Sequence, residues 1–188
     1  MKLFIILIVL LISNVASFAQ VDSLLQGKFI VVLDVQECYT SENKVDSSAI
    51  EINAINALIK KSDTAQIIYI TSVHKLLVLS FKGITIDTAD NQNLDKRLYQ
   101  VSNHAFVKEE GNAFLDKEFL TYLESKGARE IIIVGLLAEE CVSKTLVGGL
   151  ELGFEMYVVP DAIIGKSDRS KLKTIKNLSK KGVKVLNL

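Results

Sequence analysis

Proline and tryptophan are nearly missing from this chain. Its 188 residues include one proline, Pro160, and no tryptophan. Glycine shows no period, and no segment repeats or falls to low complexity. Nothing therefore reads as an interdomain linker, and the length suits one domain with its own core. Charge of one sign is not in excess either: Lys+Arg and Asp+Glu both number 22. That balance argues against nucleic acid or an anionic membrane as a partner. Cysteine is limited to Cys38 and Cys141, and histidine to His74 and His104. What is plentiful is apolar: 49% of the residues, the share of a globular protein rather than a disordered one.

The first apolar run is set apart from the rest. Lys2 is followed by an unbroken run from Leu3 to Ile12, and then by Ser17-Phe18-Ala19. A charge, a short apolar stretch and small residues at two alternate positions make a secretory signal peptide over residues 1–19, cut after Ala19. The run is too short to span a bilayer. No cysteine follows it to take a lipid. The sequence thus predicts an exported protein, periplasmic or secreted, with no stable membrane anchor and a single domain over residues 20–188. Export brings in an oxidising compartment, where two cysteines suggest a disulfide between Cys38 and Cys141.

Beyond the leader, strand-like and helix-like segments alternate. Lys28 to Asp34 is Ile- and Val-rich and reads as a buried parallel strand ending in an acid. Gln36 and Tyr39 follow within a turn. Ser47 to Lys60 carries Ile52, Ile55, Leu58 and Ile59 at helical spacing, with Ser47 or Ser48 as cap. Ala65 to Thr71 is a second strand, and Leu76 to Phe81 a further short strand or the start of a loop. Gly83 to Gln100 is polar without period and reads as a surface excursion, a candidate lid. In it, Asp87 and Asp90 read as solvated loop acids. Val101 to Lys108 is a short strand delivering Lys108. Phe114 to Lys126 is a helix stopped by Gly127. Glu130 to Val134 is the central strand, followed by a turn and a helix that carries Cys141 in its first turn and closes at Gly153. Glu155 to Val159 is a strand ending at Pro160-Asp161, Ser170 to Lys180 a helix, and Val183 to Leu186 a last strand. The lysines from Lys171 to Lys184 read as a solvated face. This alternation implies an α/β fold, with helices on both faces of a mostly parallel sheet of about six strands.

In a parallel sheet the carboxyl ends of the strands share one edge, where ligands bind. Asp34, Lys108 and Cys141 can converge there. A thiol at a helix N-terminus is expected to have a lowered pKa. Lys108 would stabilise its thiolate, and Asp34 would act as a general base. The turn before Cys141 would offer backbone N–H groups as an oxyanion hole.

Three segments, in order, resemble the isochorismatase-like cysteine hydrolases, relatives of nicotinamidase and N-carbamoylsarcosine amidohydrolase. VVLDVQECY resembles the family's opening strand with Asp-x-Gln. VKEEGNAF resembles its second motif, a Lys followed by Ala113-Phe114. GLLAEECVSKTLVGGLELGFEMYVVPDA resembles its third, around the nucleophile. The resemblance implies a three-layer α/β/α sandwich and a triad carried by Asp34, Lys108 and Cys141. It implies a cis peptide at Leu136–Leu137, aiming the N–H groups of Leu137 and Cys141 at the substrate oxygen. It also implies a small-molecule substrate cleaved at an amide or related C–N bond through a Cys141 thioester, since members that cleave the vinyl ether of isochorismate lack the cysteine. Gln36, Tyr39 and Ala138 are candidate pocket residues. Two departures stand out: the family's Thr is Ala138, and its following Asp or Asn is Glu139. The Asp-x-His metal motif of nicotinamidases is also absent, since the region reads Ile70-Thr71-Ser72-Val73-His74-Lys75. No metal and no cofactor are therefore expected, and homo-oligomerisation is left open. Two other readings compete: a catalytically silent binding protein of the same fold, and a thiol redox protein using Cys38 and Cys141.

Overall fold

The computed structural model describes residues 24–40, 48–80, 83–89 and 93–187. The predicted leader, Ser47 and Asp90 lie outside them.

The central strands follow directly from the apolar runs. β1 (Phe29–Leu33), β2 (Ile67–Ser72), β5 (Ala105–Lys108), β6 (Glu130–Leu136), β7 (Glu155–Ile164) and β8 (Lys184–Val185) form one sheet in the order β5-β2-β1-β6-β7-β8. Every pairing in it is parallel. Alternate residues of β1 and β6 feed two separate cores. Val31, Leu33, Ile131 and Ile133 pack with Phe119 and Leu123 of α3 (Lys117–Ser125), Leu146 of α4 (Ser143–Glu151) and Ile175 of α5 (Asp168–Ser179). Ile30, Val32, Ile132 and Val134 pack with Ile52, Ile55, Leu58 and Ile59 of α2 (Ser48–Lys61). A strand apolar on both faces can be covered only by helices on both sides. Each fully buried aliphatic side chain contributes about 1.5–3 kcal/mol. The result is a three-layer α/β/α sandwich. A one-turn helix, α1 (Glu37–Thr40), follows Asp34.

Four features differ from the sequence-based expectation. Gly83–Ala89 is not open loop: it is β4, antiparallel to β3 (His74–Ser80) in a separate two-stranded sheet. Its alternation is carried by two isoleucines, Ile84 and Ile86, too few to stand out among Thr and Asp. Next, β7 does not stop at Pro160 but runs to Ile164. The register against β6 slips between Ile133 and Gly135, so the stretch around Pro160 lies in an irregularity where its missing N–H breaks no regular ladder. The predicted helix from Phe114 is two elements, a 3₁₀ turn Ala113–Leu115 and then α3, with Asp116 capping α3 by accepting from the Phe119 N–H at 2.8 Å. Finally, Lys171 is not solvated. It is 9% exposed and paired with Glu51 of α2 at 3.1 Å, because α5 turns it inward between the helices.

Candidate active site

The strand ends of β1, β5 and β6 meet on one edge. Asp34 ends β1 with φ 58°, a left-handed conformation that Asp tolerates better than most residues. Its N–H donates to the Ile70 carbonyl at 2.8 Å, so the backbone is held in that conformation. Lys108 ends β5 with 2% of its surface exposed. Its Nζ lies 2.9 Å from Asp34 Oδ2 and 3.5 Å from Cys141 Sγ. Asp34 Oδ1 is buried and has no hydrogen-bond partner among the described residues. A buried, open carboxylate oxygen beside a thiol is well placed to accept its proton.

Cys141 is carried by a tight turn. Gly135, near the end of β6, has φ 115°, and a Cβ there would lie 2.1 Å from the Leu33 carbonyl oxygen. Only glycine lets β6 approach β1 so closely at this point. The Leu136–Leu137 peptide is cis. A π-helical turn, Ala138–Val142, then leads into α4. The Leu137 carbonyl accepts from the N–H groups of Glu140 at 3.0 Å and Val142 at 3.2 Å, on either side of Cys141.

The expected lowering of the thiol's pKa is not found. Burial pushes the Cys141 thiol up, the Asp34 carboxylate adds to this, and Lys108 opposes it only in part. The loss of solvent and the neighbouring carboxylate outweigh the helix terminus. Burial and the carboxylate thus favour the neutral thiol over the thiolate, beside the Asp34–Lys108 pair.

The remaining candidates separate. Gln36 is fully buried and clamps β2: its Oε1 accepts from the Ser72 N–H at 2.8 Å and its Nε2 donates to the Ser72 carbonyl at 3.2 Å. Its amide thus ties the segment after β1 to the end of β2. Tyr39 is half-buried and its hydroxyl lies 3.1 Å from Ser72 Oγ. Burial raises the pKa of that phenol, the Ser72 hydrogen bond opposes this in part, and Asp34, Cys38 and Cys141 add to the rise. Ala138 is buried in the core. Glu139 turns away to the loop after β7, accepting from the Lys166 N–H at 3.2 and 3.3 Å. No disulfide joins Cys38 and Cys141, so the suggested bridge is not formed.

The sequence reading passed over Asp95 and Arg97, inside the supposed excursion. Asp95 takes the Arg97 guanidinium at 2.9 and 2.6 Å and the Arg97 N–H at 2.8 Å, and bonds the Thr40 hydroxyl. Arg97 also donates to the Thr40 carbonyl at 3.0 Å, and Leu94 bridges to Gln36. The Arg97 hydrogen bonds hold the Asp95 carboxyl at a pKa of about 2. This network fixes α1, and with it Cys38 and Tyr39. An Asp-x-Arg in a polar stretch is the one local signal of it.

No three His, Cys, Asp or Glu side chains converge among the described residues. The end of β2 offers the Ser72 hydroxyl, already bonded to Tyr39.

Comparisons with known proteins agree with this architecture. The isochorismatase domain family matches residues 28–188. A secreted isochorismatase effector of Verticillium dahliae is 27% identical over 140 residues, covering 73% of each chain. The pyrazinamidase of Pyrococcus horikoshii, solved in complex with zinc, superposes with a TM-score of 0.68 at 19% identity, over 86% of this chain and 99% of that one. The nicotinamidase of Bacillus subtilis gives 0.70 at 15% identity, over 86% and 100%. With the three-layer fold and a family match over most of its length, the chain belongs to the isochorismatase-like hydrolase family.

Proposed function

We propose that the protein is a cysteine hydrolase of small amides or related C–N bonds. One observation carries this reading: Lys108 Nζ touches both Asp34 and Cys141 in a buried setting. Asp34 takes the Cys141 proton as Sγ attacks the amide carbon. The oxyanion is received by the N–H groups of Leu137 and Cys141, and Lys108 stabilises the charge that develops on sulfur. The tetrahedral adduct collapses to a thioester, and the leaving amine takes the proton from Asp34. Water, deprotonated by Asp34, then hydrolyses the thioester, and Cys141 recovers its proton as the acid departs. A raised thiol pKa suits this sequence, because the thiolate is needed only once substrate is in place.

The test is ammonia release from a panel of small amides by wild type and Cys141→Ala. Turnover is expected in wild type, with a covalent acyl adduct by mass spectrometry, and neither in the variant. No turnover and no adduct on any amide would overturn the reading in favour of a silent binding protein. Because a similar protein is named an isochorismatase effector, isochorismate belongs in the panel. Its cleavage by both wild type and Cys141→Ala would point instead to vinyl ether chemistry.

We also propose that the chain is exported. The leader pattern of residues 1–19 supports this, as does the word "secreted" in the name of the Verticillium relative. Intact mass of the exported protein should begin at Gln20. Material still carrying Met1 would refute it.

A further inference from the structure

The turn that carries Cys141 runs beside the loop that follows β7. The two strands stay paired to their last residues: Gly135 pairs with Ile163 and Leu136 with Ile164. The cis peptide and the π-helical turn leave β6 at that point, and residues 165–167 leave β7 beside them. No side chain caps the start of the turn at Leu137. What it touches further along decides how it is held.

Two acids of the turn reach one residue of the neighbouring loop. Glu139 is half-buried, and its Oε2 and Oε1 accept from the Lys166 N–H at 3.2 and 3.3 Å. Glu140 Oε1 lies 2.6 Å from Lys166 Nζ. The two contacts differ in kind. Glu140 and Lys166 have 51% and 57% of their side chains exposed, so water screens that pair. The Glu139 contact is a charge-assisted hydrogen bond to main chain, and that main chain is fixed on both sides. After it, Ser167 caps α5: its hydroxyl accepts from the Ser170 N–H at 3.2 Å and its carbonyl from the Lys171 N–H at 2.8 Å. Before it, a Cβ on Gly165 would lie 2.7 Å from Lys171 Cβ and 3.2 Å from Glu139 Oε1, so the loop is pressed between α5 and the turn. Leu137 and Ala138 are thus enclosed by two ties, the Leu136–Ile164 pairing and the Glu139–Lys166 contact.

We propose that Glu139 is a positioning residue: its tie to the Lys166 N–H sets the direction of the Leu137 N–H, and of the Cys141 N–H and thiol that follow in the same turn. The catalytic consequence rests on the hydrolase reading, in which those N–H groups receive the oxyanion; the tie itself does not. A carboxylate two residues from the thiol has another way to act, through its charge. Side-chain length and charge separate the two.

The test takes the full-length protein with Glu139→Gln, Glu139→Asp and Glu139→Ala. Hydrogen exchange by NMR follows the Glu140 and Val142 amides, which donate to the Leu137 carbonyl, with the β1 amides as reference. Steady-state kinetics on a small amide gives kcat and KM. Glu139→Ala should speed exchange of the two turn amides about tenfold, the loss of one hydrogen bond to a charged group. It should lower kcat about tenfold and leave KM nearly unchanged. Glu139→Gln keeps the length and an acceptor oxygen, so it should recover most of both. Glu139→Asp keeps the charge but is one methylene short, so it should behave like the alanine variant. A merely structural role would quicken β1 exchange along with the turn and leave kcat per folded molecule unchanged. That result, recovery by Asp and not by Gln, or turn exchange unaltered in Glu139→Ala would overturn the proposal. If the wild type turns over no amide while exchange follows the order expected of Gln and Asp, the hydrolase reading falls and the tie stands. Turnover by the wild type without that order does the reverse.

Discussion

Two lysine–carboxylate pairs are buried among the described residues, and they look alike. Lys108 meets Asp34 at 2.9 Å, and Lys171 meets Glu51 at 3.1 Å. Each pair leaves one carboxylate oxygen buried without a hydrogen bond, Asp34 Oδ1 and Glu51 Oε2. They differ in what surrounds them. Glu51 and Lys171 project from the first turns of α2 and α5, and their other neighbour is the exposed Asp168. Asp34 and Lys108 project from strand ends, one of them with a left-handed backbone, and a thiol completes the set. A buried ion pair is therefore not a site in itself. The third group and the sheet edge make it one.

The sharpest way to break the comparison is to remove the thiol. Cys141→Ala should lower amide turnover by at least about a thousandfold with no loss of fold. Asp34→Asn and Lys108→Met should each cost about 10²–10⁴ in kcat. Steady-state kinetics, with circular dichroism as the control for folding, checks all three. The same surgery on the other pair should leave chemistry alone and act on stability. Glu51→Gln strands a buried ammonium and should destabilise by about 3–5 kcal/mol in urea unfolding, with kcat per folded molecule unchanged. Joint replacement, Glu51→Leu with Lys171→Met, should recover that loss. If kcat falls with Glu51→Gln, the two pairs are not functionally distinct.

A subtler contrast concerns the thiol. Since Asp34 raises the Cys141 pKa and Lys108 lowers it, Asp34→Asn should shift the pH midpoint of Cys141 alkylation downward, and Lys108→Met upward. Iodoacetamide labelling followed peptide by peptide reads this. Opposite shifts would mean that the carboxylate stabilises the thiolate after all.

The smallest effect belongs to Asp95. Its carboxyl is held at about 2, below its ordinary 3.8, so it contributes stability above the ordinary value and loses it as pH falls towards 2. Asp95→Asn should flatten the acid unfolding profile between about pH 4 and 2. Arg97 has 43% of its side chain exposed, so solvent limits the size of the effect.

The strand ends were legible because buried parallel strands announce themselves as unbroken apolar runs. The residue that ends each run is then placed on the ligand edge by topology alone. Asp34, Lys108 and the turn to Cys141 followed from that. Lys171 was misread, since a lysine among lysines on a helix gives no sign of a glutamate 120 positions earlier. The clamp of Asp95 and Arg97 on Thr40 and the clamp of Gln36 on Ser72 give no local sign for the same reason: both join segments distant in sequence. The thiol's pKa was misjudged because a local dipole argument cannot weigh a carboxylate delivered by another strand.

The strand order carries one more consequence. β5 and β1 are separated by β2, and parallel neighbours lie about 4.8 Å apart, so the side chain at 108 must bridge about 10 Å of sheet. Position 108 is in this sense a ruler as well as a charge. A histidine would fall short of Asp34, and an arginine would overshoot with a flat fork where a point donor is required. Evolution of this edge is then constrained by reach: the acid and the thiol can be tuned by their surroundings, while the cation can be exchanged only if the strands themselves are reordered.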